Sequence, residues 1–332
     1  MLKRNLLGAV VTLMLCACGA EPAKQGVGGE VIQVDGSSTV FPISEAAAEQ
    51  FAASQSGAAR VAVGESGTGG GFRKFCRGET QVQGASRPIL AEEMQACAAA
   101  GVMYVEAPIA FDGLTVVVHP SNTLANISMA ELRRTWEPAA QGQVTNWRQI
   151  NPRWPDLGLQ LFGAGTASGT FDYFIEAVVG VAKSSRTDYT PTEDDNVTVT
   201  GVAGNPGAMG YFGYAYYDQN RARVKALSVE GVSPSPERIA DGSYPLSRPL
   251  FVYFNAEMLR RPQVQRFAQY LFANAAQIAP SVGYVALPER AYATYSERVR
   301  VRQAGTAFGG RQDIGASIED VLARPLRATG GE

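Results

Sequence analysis

Val31-Ile32-Gln33-Val34 runs straight into Asp35-Gly36-Ser37-Ser38-Thr39-Val40 and then into Phe41-Pro42-Ile43. The first four residues make a strand-like run, the middle is a loop, and Pro42 suits the first turn of a helix. That helix carries Ile43, Ala46, Ala47 and Phe51 on one side. Alternation of strand-like runs with helical stretches signals an α/β fold, in which ligands bind beyond the carboxyl ends of the strands.

The pattern returns twice. Arg60 to Val63 is a strand ending at Glu65-Ser66-Gly67-Thr68-Gly69-Gly70-Gly71, followed by Phe72, Phe75 and Cys76 at helical spacing. Leu159-Gln160-Leu161-Phe162 feeds Gly165-Thr166-Ala167-Ser168-Gly169-Thr170, followed by the stripe Phe171, Phe174, Ile175 and Val178. Such loops present backbone N–H groups at a helix N-terminus with hydroxyls beside them, which suits a small anion. Taken singly, each reads as a turn with an N-cap. Three together, with no catalytic machinery beside them, point to an oxyanion site. The second loop is richer in glycine than a turn needs, which lets its backbone approach a ligand closely.

Ala85-Ser86-Arg87-Pro88 adds a charge on an extended backbone. A guanidinium there can fork two oxyanion oxygens, worth about 1.5–3 kcal/mol. The bland reading is a surface arginine pairing with Glu79 or Glu92.

Further along, Met103 to Ala107 and Leu114 to Val118 read as separate strands around Phe111-Asp112-Gly113. Ser128 and Glu131 form a capping box for a helix over 128–136. Residues 183–196 are polar and read as surface. Residues 204–212 read as a turn into a strand or short helix, Pro249 to Phe254 as a strand, and 262–276 as an amphipathic helix.

At 332 residues the chain exceeds one compact domain, so two lobes are expected. A net charge of −2 leaves no basic footprint for nucleic acid. Lys3 and Arg4 precede an apolar run from Leu6 to Leu15, too short to span a bilayer. Leu15-Cys16-Ala17-Cys18 then resembles a bacterial lipobox, so residues 1–18 read as a signal peptide with Cys18 lipidated. The alternative is a soluble secreted protein cleaved near Ala17 or Ala20. Residues 19–30 read as a tether. Cys76 and Cys97 favour one disulfide in an oxidising compartment, with two buried free thiols as the alternative.

Enzyme signatures fail. No Gly-Lys-Ser/Thr occurs, so there is no Walker A loop. Gly64-Glu65-Ser66-Gly67-Thr68 misses the nucleophile elbow at its last position. His119, the single histidine, lies before Pro120 at a strand end and reads as a surface or capping residue, which also argues against a metal. No catalytic residue, metal or cofactor is expected.

In order along the chain, Gly36-Ser37-Ser38-Thr39-Val40, Ser66 to Phe72, Ala85-Ser86-Arg87-Pro88-Ile89, Phe111-Asp112-Gly113-Leu114 and Ser168 to Phe174 resemble the phosphate-binding proteins of bacterial ABC importers. Gly207 to Tyr211 and Gly283 to Pro288 fit as well, so the resemblance covers nearly the whole mature chain. It implies a type II periplasmic-binding-protein clamshell whose two α/β lobes, joined by two crossing strands, close over one inorganic phosphate. It also implies docking on a membrane permease, with membrane attachment by a lipid anchor only and no reaction on the ligand. Lobe one would comprise residues 31–115 and 253–332, and lobe two residues 116–252, with Leu114–Val118 and Leu250–Phe254 as hinge strands. By position, Ser38, Thr39, the Val40 amide, Ser66 and Arg87 would bind from one lobe, and Ser168, Gly169 and Thr170 from the other. Pairing of Cys76 with Cys97 suits the branch with this motif set.

The chain departs from the family at two places. Better-known members carry an Asp at the position of Arg87, and it accepts the phosphate proton; their arginine comes from just before the third loop. The branch with Arg at this position usually has Asp where this chain has Ala167. A carboxylate acceptor admits hydrogen phosphate and repels sulfate, and Glu65, Glu79 and Asp112 are the candidates for that role. Competing readings are a receptor for sulfate, molybdate or arsenate, and a phosphohydrolase or adhesin on the same scaffold.

Overall fold

A computed structural model describes residues 31–54, 60–166, 168–181, 183–192, 194–311 and 317–328. The expected signal peptide with Cys18, the expected tether and Ala167 lie outside the described residues. The first units follow the sequence pattern: β1 (Val31–Gly36), α1 (Phe41–Ser54), β2 (Arg60–Val63), α2 (Thr68–Cys76), β3 (Val82–Ala85) and α3 (Ala91–Ala99). Their strands pair in parallel, β2 and β3 flanking β1. Then comes β4 (Tyr104–Val118), buried along its whole length. After β5 (Asn126–Ile127), α4 (Met129–Trp136) and α5 (Trp147–Ile150), a second set follows. It comprises β6 (Gln160–Ala164), α6 (Gly169–Val179), β7 (Thr190–Thr192), α7 (Asp195–Ala203), β8 (Ala208–Gly213) and α8 (Tyr214–Gln219). The chain closes with β9 (Lys225–Ala226), β10 (Ser228–Val229), α9 (Pro236–Ala240), β11 (Ser247–Asn255), α10 (Pro262–Ser281), α11 (Glu289–Arg300) and α12 (Ile318–Ala323).

The strand order is β2-β1-β3-β11-β4-β8-β6-β7, with β9 on β4. The first half of β4 pairs antiparallel with β11, from Tyr104↔Asn255 to Gly113↔Ser247, and its second half pairs with β8. β4 and β11 therefore carry the chain between the two α/β sets. The two short strands expected around Phe111-Asp112-Gly113 are one continuous strand. Gly113 is not a turn residue; a Cβ there would lie 2.4 Å from Ile239 Cδ1, so it makes room for α9. Residues 204–212 resolve into a turn and β8, and the helix expected over 262–276 runs on to Ser281.

Ser128 Oγ accepts from Glu131 N at 3.2 Å while Ser128 N donates to Glu131 Oε2 at 2.9 Å, completing the expected box. The polar stretch 183–196 is not all surface. Arg186 is buried, forked on Asp188 at 2.6 and 2.8 Å, and donates to the carbonyls of Thr135 and Val144. Among the described residues no helix is long and apolar enough to cross a membrane.

Cys76 and Cys97 form a disulfide, with Cα atoms 4.3 Å apart. It ties the end of α2 to α3 and closes a loop worth roughly 3 kcal/mol in the unfolded chain. Behind it, Phe72, Tyr253 and Tyr104 pack edge to face. Tyr253 Oη donates to Glu106 Oε2 at 2.9 Å, and Thr306 Oγ1 and Ala307 N donate to the same carboxyl. Burial outweighs these donors and pushes the Glu106 carboxyl up to about 7. The native state thus binds this proton more tightly than the unfolded chain. Its contribution to stability is full below the ordinary value of 4.5 and is lost as pH rises toward about 7, a fall of about 3 kcal/mol. Urea melts of wild type and Glu106→Gln across that window should diverge by this amount. A constant difference between the two would show a carboxylate ionised throughout.

Candidate functional site

The first loop is wound tightly. Ser37 N donates to Gly84 O at 2.9 Å, Val40 N and Phe41 N donate to Ser37 O, and Thr39 N donates to Ser37 Oγ at 3.2 Å. The Val40 amide expected to face a ligand is therefore engaged within the turn. The Ser38 amide has no hydrogen bond among the described residues, and its residue is half-exposed at the head of α1.

The second loop is tied to the first. Gly64 N donates to Val34 O at 2.8 Å and Ser66 N to Gly36 O at 3.1 Å. Ser66 Oγ donates to Asp35 Oδ1, and Lys74 Nζ lies 2.5 Å from Asp35 Oδ2. Burial raises the Asp35 carboxyl, but Lys74 and Ser66 outweigh it and hold the group below its ordinary value. Thr68 Oγ1 accepts from Ser86 N at 3.2 Å and lies 3.0 Å from Ser86 Oγ, joining this loop to the Ser-Arg-Pro segment.

Arg87 forks onto Glu93 with both contacts at 2.8 Å, not onto Glu79 or Glu92. Burial works against its charge, but the Glu93 carboxylate more than compensates and raises its pKa. Its cation also feels Glu176, on α6 of the second set. In the third loop Ser168 caps α6, its Oγ accepting from Thr170 N at 3.1 Å. Asp172 Oδ1 and Tyr173 Oη, on the following turn, are buried without a hydrogen-bond partner among the described residues.

The side chain that brings these parts together is one the sequence reading passed over. Arg248, at the start of β11, is 7% exposed. Its Nε and Nη2 lie 3.3 and 3.1 Å from Asp112 Oδ2. Nη1 donates to Ser86 O at 3.2 Å and Nη2 to Thr39 Oγ1 at 3.3 Å. Cζ sits 4.0 Å over the Tyr173 ring. One guanidinium thus touches the head of α1, the end of β3, β4 and α6. A signal for it existed: Ser247-Arg248-Pro249 repeats Ser86-Arg87-Pro88. Asp35 was also missed, because an acid before Gly reads as an ordinary turn residue.

Of the three candidate acids, Asp112 faces Arg248, Glu79 pairs with Arg77 on the surface at 2.6 Å, and Glu65 is exposed. His119 closes its own turn, Nδ1 accepting from Ser121 N at 3.1 Å. Hydroxyls, helix N-termini and a buried guanidinium can replace the hydration shell of a small oxyanion. They are poorly suited to covalent chemistry: Asp35, held below its ordinary pKa, is a weak base for the Ser66 hydroxyl.

A family model described as the PBP superfamily domain matches residues 21–275. Protein SphX of Synechococcus elongatus is 44% identical over 298 residues, 88% of each chain. Phosphate-binding protein PstS of Staphylococcus saprophyticus is 36% identical over 305 residues, 88% of this chain and 92% of the relative. Among solved structures, a possible phosphate binding protein from Planctomyces limnophilus aligns with a TM-score of 0.75 at 45% identity, over 82% of this chain and 99% of that one. Mixed α/β sets bridged by β4 and β11 are accordingly the type II periplasmic-binding-protein fold.

Proposed function

The chain belongs to the PBP superfamily, and from that premise we propose that it is the extracytoplasmic substrate-binding protein of a phosphate ABC importer. It captures inorganic phosphate, performs no reaction on it and hands it to a membrane permease. The observation that carries this reading is the convergence of Thr39, Ser86, Asp112 and Tyr173 on Arg248.

In the proposed complex Arg248 supplies the cation, Thr39 and Ser38 supply donors at the head of α1, and Ser66 and the Ser168-Gly169-Thr170 turn line the remaining sides. The helix N-termini of α1 and α6 add partial positive charge. Residues 31–115 and 253–332 form one lobe and 116–252 the other. β4 and β11 act as the hinge, so that closure brings α6 onto the first-lobe loops. Attachment to the membrane through a lipid on Cys18 is part of the same proposal and rests on the Leu15-Cys16-Ala17-Cys18 run.

Titration calorimetry of the purified protein against phosphate, sulfate, molybdate and arsenate tests the assignment. Phosphate should bind tightly and sulfate weakly or not at all. Tight sulfate binding without phosphate heat overturns the reading in favour of a different oxyanion receptor.

Arg87→Ala is expected to weaken phosphate binding by at least about tenfold. Its fork is held by Glu93, so its loss strips the Glu93 carboxylate of its counter-charge and loosens the extended backbone at Ser86, whose carbonyl receives Arg248. An unchanged dissociation constant for phosphate would reduce Arg87 to a brace between β3 and α3.

A further inference from the structure

Ser66 has two hydrogens to give, and both are committed inside the protein. Its N–H goes to Gly36 O, and its hydroxyl goes to Asp35 Oδ1. The direction of the second bond follows from chemistry. The Asp35 carboxyl is held below its ordinary value, so it is an ionised acceptor, and Lys74 on its other oxygen can only donate. The Ser66 oxygen therefore presents lone pairs, not a proton, on its exposed side.

Resting on the phosphate-binding reading, we propose that Ser66 is a proton-accepting contact that selects hydrogen phosphate against fully ionised oxyanions, with Asp35 and Lys74 as the positioning residues that lock its hydroxyl. Hydrogen phosphate carries an O–H that can donate to this oxygen. Sulfate near neutral pH carries none and would set oxygen lone pairs against oxygen lone pairs. The three acids considered from sequence do not supply this contact as simply. Asp112 has its Oδ2 committed to Arg248, Glu79 is paired at the surface, and Glu65 is exposed without a partner among the described residues.

Two variants separate an acceptor from a donor, measured by calorimetry with phosphate and by competition with sulfate. Ser66→Ala removes an acceptor and its lone-pair repulsion, so phosphate should bind at least about tenfold more weakly while sulfate holds or tightens. Equal weakening of both anions means that Ser66 donates, and overturns the proposal. Asp35→Asn reverses the contact. Lys74, a pure donor, takes the amide oxygen, so the amide N–H2 faces Ser66 and turns its hydroxyl outward as a donor. Phosphate should then weaken and sulfate tighten, lowering the preference by at least about tenfold. A parallel gain for both anions is a charge effect and also overturns it. If Asp35→Asn fails to fold, Ser66→Ala still decides between the two roles. Wild-type protein that binds no phosphate defeats the functional reading itself. Tight phosphate binding with an unaltered preference in the variants defeats only the role given to Ser66.

Discussion

Arg248→Gln is expected to lower phosphate affinity by at least about a hundredfold. A guanidinium gives charge-assisted hydrogen bonds worth about 1.5–3 kcal/mol each, and loss of one or two accounts for that factor. The same change has a second consequence. Asp112 and Arg248 are both buried, so glutamine leaves a carboxylate without its cation and should cost about 3 kcal/mol of folding stability. The two effects come apart in the double variant. Arg248→Gln with Asp112→Asn removes the orphaned charge, so stability should return in urea melts while phosphate binding does not. A folded Arg248→Gln protein with the wild-type phosphate dissociation constant would remove Arg248 from the site and leave it a structural partner of Asp112.

How much of this was legible beforehand depends on whether the signal was local. Strand–loop–helix units and the Ser128 box are written in neighbouring residues, and each was readable; the disulfide, 21 residues apart, was readable because Cys76 and Cys97 are the two cysteines left beyond the expected signal region. β4 was not, because Phe111-Asp112-Gly113 has the composition of a turn. It stays extended because β11 lies alongside it and Gly113 accommodates Ile239, both distant in sequence. Arg87 and Arg248 sit in the same Ser-Arg-Pro context, so local reading cannot rank them. What separates them is the partner each meets: Glu93, six residues away, for one, and Asp112, across the β4–β11 pairing, for the other. Asp35 was hidden for the same reason, since its partners Ser66 and Lys74 come from the next loop and helix.

The glycines of the second loop pose a sharper version of the same problem, and Gly71→Val is the substitution that exposes it. From sequence the run Gly69-Gly70-Gly71 offers its backbone to a ligand. In the fold, a Cβ on Gly71 would lie 2.1 Å from Gln83 Oε1 and 2.6 Å from Gly36 Cα, so this glycine lets α2 rest on β1 and β3. Gly36 is itself confined, with φ +134° and a Cβ position 2.1 Å from Gly84 O. Valine at 71 must lift α2 and break the Gln83 amide's bonds to Thr68 O and Gly84 O. Overpacking and the lost hydrogen bonds together should cost about 4 kcal/mol. Phosphate binding should also fail in whatever fraction folds, because Ser66 and Thr68 travel with the helix. Gly69→Ala is the control. Its Cβ would meet nothing closer than Arg87 Nη2 at 3.8 Å, so stability should hold or rise by about 0.5–1 kcal/mol, as alanine does in a helix. If Gly69→Ala nonetheless weakens phosphate, the glycine at 69 serves the ligand while the one at 71 serves the sheet. If Gly71→Val melts like wild type, α2 is not seated by that contact, and the glycine run belongs wholly to the anion.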